Sequence, residues 1–200
     1  PFAQDWPLQA IVAENGAVAL FRAADGTLCT EYLQDEATRR HNARRLATVA
    51  QRVLAEVPGA TLARDSDGRV TDIAIDHAEF SRLDEARIAQ VLALMRAQGM
   101  NATVSSIHVN GWFGDYDKLT MTRLLLREVF GVELDTALDR FVFVGDSPND
   151  QPMFAHFPNS VGVANLARFL ASLTTPPRWL TDAEGGHGFA QVAELLLATR

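Results

Sequence analysis

Short apolar runs and longer amphipathic stretches divide this chain into two kinds of territory. Residues 10–13 (Ala-Ile-Val-Ala) are continuously apolar and stop at Glu14-Asn15-Gly16, which predicts a buried strand leading into a turn. Residues 18–21 and 28–32 flank Ala24-Asp25-Gly26-Thr27 and predict a hairpin. From 36 to 56, Leu46, Val49, Val53 and Leu54 recur at helical spacing, and Pro58-Gly59 ends that helix. Short strands are predicted at 60–63 and 70–75, around Asp65-Ser66-Asp67-Gly68. Ser81 is placed as the N-cap of a second helix, with Asp84 and Glu85 in its first turn. Its apolar face is Ile88, Val91, Leu92 and Met95, and it ends at Gly99. A strand at 103–109 completes this middle section.

The pattern changes near residue 118. A helix over 119–129 ends at Gly131, and the apolar run Phe141-Val142-Phe143-Val144 follows as a strand. A helix near Met153, a strand at 160–163, a helix at 166–170, a short strand at 179–180 and a helix over 188–197 complete the chain. Such alternation predicts a parallel sheet with helices on its faces. The section from about 24 to 110, with hairpins and two helices, is closer to α+β. The predicted fold class is therefore α/β, a parallel Rossmann-like core with an inserted α+β cap domain. The core is assigned to 1–22 and 111–200, and the cap to 23–110.

Composition narrows the partners. The 200 residues are 48% apolar and 22% charged, which suits a globular domain. A net charge of −7 without a basic run argues against nucleic acid as a partner. Arg39, Arg40, Arg44 and Arg45 are balanced by Asp35 and Glu36 and read as a solvated helix face. Cys29 is the single cysteine, so no internal disulfide forms, which fits a reducing, cytoplasmic compartment. No apolar stretch has the length of a membrane span, and no membrane association is expected. The chain opens on Pro1, as a processed protein or a piece of a longer one would.

The most informative chemistry lies where the strand at 141–144 runs into Gly145-Asp146-Ser147-Pro148-Asn149-Asp150. In open α/β sheets, ligands bind beyond the carboxyl ends of the strands. Two carboxylates and an amide at that edge suit a hard cation such as Mg²⁺. An acidic turn leading into the helix near Met153 is the alternative. Ahead of this loop, Lys118 opens a helix, an unfavourable end for a cation unless something anionic sits nearby. Pairing with Asp115 or Asp117 is the simpler account of that lysine.

Taken together, Lys118 and Gly145-Asp146 followed by Asn149-Asp150 resemble the later motifs of the haloacid dehalogenase (HAD) superfamily of phosphatases. Ala13-Glu14-Asn15-Gly16-Ala17 resembles the strand-to-turn segment before the large cap of the Cof-like and sucrose-phosphate phosphatase-like branch. The resemblance implies a Mg²⁺-dependent phosphomonoesterase that acts on a sugar phosphate or similar small metabolite through an aspartyl-phosphate. It implies that Lys118 neutralises the nucleophile and the phosphoryl oxygens. Asp146 binds Mg²⁺ directly, Asp150 holds the metal's waters or orients Asp146 and Lys118, and Asn149 bonds near metal or phosphate. Positive charge around the equatorial oxygens is what phosphoryl transfer requires.

The first motif of that superfamily, an apolar strand followed by Asp-x-Asp-Gly-Thr, has no counterpart. Ala23-Ala24-Asp25-Gly26-Thr27 comes nearest, but Ala23 stands where the nucleophile belongs, and a methyl group cannot attack phosphorus. The second motif, a Ser or Thr closing the next strand, is not identifiable before Ala10. The expectation is an N-terminally truncated phosphatase in which the strand at 141–144 lacks a neighbour and is prone to aggregate.

Trp112, in Asn110-Gly111-Trp112-Phe113-Gly114, is a candidate for stacking on a sugar, or for closing a hinge. Asn15 and Glu14 are candidates for substrate contact beside a turn role. His77 and His108 lie at strand ends, His187 between glycines in a loop, and His41 and His156 at surface positions. The rivals are a sugar phosphomutase, and a catalytically inactive HAD-like protein that keeps Asp146 and Lys118 for a metal or phosphate.

Overall fold

A computed structural model describes residues 5–199; Pro1 with the three residues after it, and Arg200, lie outside them. By packing, the described chain falls into two compact units. One takes in the described residues up to Thr103 together with Ile107–Val132, the other Val104–Ser106 together with those from Glu133 onward. No helix among the described residues is long and apolar enough to cross a membrane.

The first unit opens with an antiparallel sheet of β1 (Ala10–Ala13), β2 (Val18–Arg22) and β3 (Leu28–Tyr32). The predicted hairpin is the β2–β3 connection, where Asp25 Oδ1 accepts from the Thr27 amide at 2.9 Å. Helix α1 (Glu36–Glu56) has the predicted limits, because Asp35 caps it by accepting from the Thr38 amide at 2.8 Å. It buries Leu46, Val49 and Val53, whereas Leu54, one residue round the helix from Val53, is exposed.

The α+β section forms a four-stranded sheet in the order β4 (Thr61–Leu62), β5 (Asp72–Asp76), β7 (His108–Trp112), β6 (Asn101–Val104). The strand predicted at 103–109 is thus two strands with a reversal at Ser105-Ser106. Helix α2 (Glu85–Ala97) is capped by Asp84, not Ser81. Asp84 Oδ1 accepts from the Arg87 amide at 2.9 Å, while Ser81 belongs to a loop gathered by Asp76. The Asp76 carboxylate accepts from the amides of Ala78, Glu79, Phe80 and Ser81. Burial alone would raise its pKa, but these four bonds outweigh it and the net shift is downward.

Helix α3 (Lys118–Phe130) ends the unit, capped by Asp117 and stopped by Gly131 in the left-handed region at φ 64°. Met121 and Leu125 pack on Ala19 of β2. Gly16 makes this approach possible. Its φ is +103°, and a Cβ there would lie 2.1 Å from the Asp117 carbonyl oxygen. Gly16→Ala is expected to cost roughly 3–5 kcal/mol, combining backbone strain with a clash against main chain. A lower urea midpoint with an unchanged m-value checks this.

In the second unit, β8 (Phe143–Gly145), β9 (Ser160–Gly162) and β10 (Trp179–Leu180) pair in parallel in the order β10-β9-β8, so β8 lies at an edge among the described residues. Helix α4 (Gln151–His156), a 3₁₀ segment over Ala164–Ser172 and helix α5 (Gly185–Ala198) alternate with these strands as predicted. Phe143 stacks on Phe157 with ring centroids 5.8 Å apart, fixing β8 against the end of α4.

Candidate active site

The candidate residues gather in two places, one in each unit. In the second unit they occupy the loop leaving β8. Gly145 ends the strand where no side chain fits: a Cβ would lie 2.7 Å from Phe154 Cζ and 2.8 Å from Asp150 Oδ2. The chain then turns, and the Asp150 carboxylate accepts from the Asp146 amide at 3.0 Å. Asp150 is 4% exposed, so its side chain serves as an internal brace for the loop. It also stands as the N-cap residue of α4, but it makes no side-chain cap bond there. Ser147, 2% exposed, donates to Asn149 Oδ1 at 2.6 Å and lies 3.2 Å from Asp146 Oδ1. Asn165 reaches over from the 3₁₀ segment and donates to the Asp146 carbonyl at 3.3 Å, while its own Oδ1 accepts from the Gly185 amide at 3.0 Å.

The loop is therefore held at four points, and Asp146 and Asn149 are left partly exposed at the carboxyl end of a parallel strand. The donors are all oxygen, which suits Mg²⁺ bound through one or two carboxylates and its own waters. Among the described residues, no three of His, Cys, Asp or Glu come together as a metal-binding group. Ser147 and Asn165 were not singled out from the sequence. A serine tucked between Asp146 and Pro148 was the local sign for one; Asn165 acts across 19 positions and had none.

In the first unit, the turn that carries Asn15 lies against the start of α3, where Lys118 stands. A Cβ on Gly16 would lie 2.7 Å from the Lys118 amide nitrogen, so the Glu14–Gly16 turn lies directly against the backbone of Lys118. Glu14 and Asn15 both adopt positive φ, 48° and 56°. For a glutamate this conformation is strained, and neighbouring bonds hold it. Glu14 Oε2 accepts from the amides of Thr71 at 2.6 Å and Val70 at 3.1 Å, and from the Thr71 hydroxyl. Asn15 Nδ2 donates to Asp72 Oδ2 at 2.7 Å. Arg69 binds Asp72 at 2.9 Å and Asp65 at 2.7 Å. Burial, with Glu14 close by, raises the pKa of Asp72, while Arg69 and Asn15 hold part of that rise back. Both substrate-contact candidates of this turn are thus engaged with the start of β5.

Trp112 is 8% exposed and packs with Ala17 and Tyr116, its Nε1 donating to the Tyr116 carbonyl at 3.1 Å. Its ring lies in the core of the unit. His77 and His108 are buried, and His108 Nε2 lies 3.2 Å from Glu79 Oε2. Two histidine placements are corrected. His156 is largely buried, 2.9 Å from Asp135, because it closes the last turn of α4. His187 stands in the first turn of α5, since Gly185-Gly186 begins a helix there.

No protein-family model and no curated protein matches the sequence. Among solved structures, the sucrose-phosphatase of Synechocystis sp. PCC6803, solved with sucrose and phosphate, is 14% identical with a TM-score of 0.61. The match covers 93% of this chain and 73% of that one. A Thermoplasma acidophilum protein is 18% identical with a TM-score of 0.59, over 90% of this chain and 69% of its own. The C-terminal domain of the Candida albicans trehalose synthase regulatory protein is 13% identical with a TM-score of 0.53, over 87% and 70%. With its parallel sheet, its helices and its α+β section, the chain has the fold of the HAD-like hydrolases.

Proposed function

We propose that this chain works as a Mg²⁺-dependent phosphomonoester hydrolase of the HAD type, acting on a sugar phosphate or similar small metabolite. The observation that carries the reading is the braced loop after β8, which offers the Asp146 carboxylate at a parallel strand end with its backbone fixed by Asp150. The likeness in fold to a sucrose-phosphatase supports it. In this reading residues 1–22 and 111–200 are the core and 23–110 the cap. Asp146 and Asn149 hold the metal side of the phosphoryl group, and Asp150 keeps Asp146 in place. Lys118 neutralises the equatorial oxygens, and Asn15 positions the turn beside it. Bound Mg²⁺ supplies positive charge for the developing transition state.

The chemistry runs in two steps. A carboxylate oxygen attacks phosphorus, and the alcohol leaves with a proton delivered by an acid. Water then cleaves the acyl phosphate, returning the carboxylate and releasing inorganic phosphate. Neither the attacking carboxylate nor the acid is found in the expected motif within these 200 residues, so the reading requires a segment outside them to supply both.

A second reading is a silent phosphate- or metal-binding protein. Ala23 at the nearest motif position favours it, and so does the likeness to a domain of a protein named as regulatory. Phosphate release from p-nitrophenyl phosphate and hexose phosphates, by protein expressed from the complete gene, separates the two. Mg²⁺-dependent release that chelation abolishes is the expected result. No release from any ester, with phosphate still bound, establishes the silent protein.

A further inference from the structure

Ser147 is 2% exposed, and its place in the chain gives it an ordinary task that it does not perform. It is the N-cap residue of the short 3₁₀ turn Pro148–Asp150, yet its side chain makes no cap bond. Capping is the usual reason for a serine ahead of a helical turn. Here the main chain suffices, since the Asp150 amide donates to the Ser147 carbonyl at 3.0 Å. The hydroxyl is turned aside, between Asn149 Oδ1 at 2.6 Å and Asp146 Oδ1 at 3.2 Å. Both neighbours are side chains of the candidate metal loop.

A hydroxyl carries one proton, and these two oxygens are both acceptors. With the proton on the bond to Asn149, Ser147 Oγ and Asp146 Oδ1 face each other with no proton between them. A half-turn of the Asn149 amide exchanges Oδ1 for Nδ2 and removes the conflict. Nδ2 then donates to Oγ, and Oγ donates to the carboxylate, which is the stronger bond because its acceptor is charged. The same half-turn carries the Asn149 oxygen away from Ser147. That exchange suits a hard cation, which takes oxygen and not amide nitrogen.

The rest of the loop gives this arrangement its weight. Asp150 holds the Asp146 amide, and Asn165 holds its carbonyl. With the backbone of Asp146 fixed, its side-chain torsions remain, and the Ser147 hydroxyl lies against the carboxylate they aim.

Building on the metal side of the phosphatase reading, we propose that Ser147 is a positioning residue for the cation. Its hydroxyl donates to Asp146 and accepts from the Asn149 amide, so it fixes the carboxylate and turns the Asn149 oxygen outward. Ser147 touches neither cation nor substrate and acts through its two neighbours.

The test titrates Mg²⁺ by calorimetry into protein expressed from the complete gene, as wild type, Ser147→Ala and Ser147→Thr. Ser147→Ala is expected to raise the Mg²⁺ dissociation constant about tenfold, while the metal-free protein melts as wild type does. Ser147→Thr keeps the hydroxyl and is expected to recover most of that loss. Ser147→Cys, close in shape but a weak donor, replaces the alanine variant if that one does not fold. Hydrogen exchange of the Asn149 side-chain amide, followed by NMR with Mg²⁺ bound, reports the half-turn. It is expected to be slower in wild type than in Ser147→Ala, where the buried acceptor is gone. An unchanged Mg²⁺ constant in the alanine variant, a threonine variant no better than alanine, or equal exchange rates overturn the proposal and leave the metal site standing. Wild type that binds no Mg²⁺ ends the metal reading itself, and this inference with it.

Discussion

In protein expressed from the complete gene, Asp146→Asn is expected to reduce phosphate release by about two to three orders of magnitude, the scale of losing one fixed charge-stabilising group. The substitution keeps the size of the side chain and leaves the amide that donates to Asp150 in place. Asn165 still reaches the residue 146 carbonyl, so the loop keeps its course. What disappears is the negative charge that a divalent cation needs. The Mg²⁺ concentration for half-maximal rate should therefore rise together with the fall in turnover. Titrating Mg²⁺ against p-nitrophenyl phosphate hydrolysis measures both. Unchanged turnover with unchanged Mg²⁺ dependence would remove Asp146 from the metal site and leave the loop as an acidic turn.

Lys118→Ala separates activity from stability. Lys118 is the first residue of α3, and the cap is made by Asp117 accepting from the Thr120 amide at 2.8 Å. Alanine is the best helix former, and removing a cation from a helix N-terminus is mildly favourable, about 0.3–1 kcal/mol. Thermal stability should thus be unchanged within about 1 kcal/mol. Hydrolysis should fall about 10³-fold if the ammonium neutralises the phosphoryl oxygens. A variant that folds as well as wild type and turns over at the wild-type rate would leave Lys118 with no part in the chemistry.

Local chemistry was legible in the sequence; contacts across distance were not. The limits of α1 followed from periodicity, an Asp cap and Pro58-Gly59, all within a few residues of each helix end. The loop after β8 was legible for the same reason, since its brace, Asp150 to Asp146, spans four positions. The start of α2 was misplaced because two acceptors, Ser81 and Asp84, stood close together. Only the three-dimensional course of the Asp76 loop decides which of them is free to cap. The depth of Trp112 depends on Ala17 packing against it from far away in sequence, and no spacing rule encodes that. In the second unit Asp146, Asn149 and Asp150 share one loop, tied together within four positions. In the first, the turn that carries Asn15 approaches the backbone of Lys118 only because Gly16 has no side chain.

The bonds from Glu14 and Asn15 to the start of β5 join residues 56 and 57 positions apart. Closing a loop of that length costs roughly 3–4 kcal/mol of chain entropy. A strained turn at positive φ offers little local reward in return. The clasp is therefore expected to form late in folding, after contacts of shorter range. Weakening it is then expected to hasten unfolding more than it delays refolding.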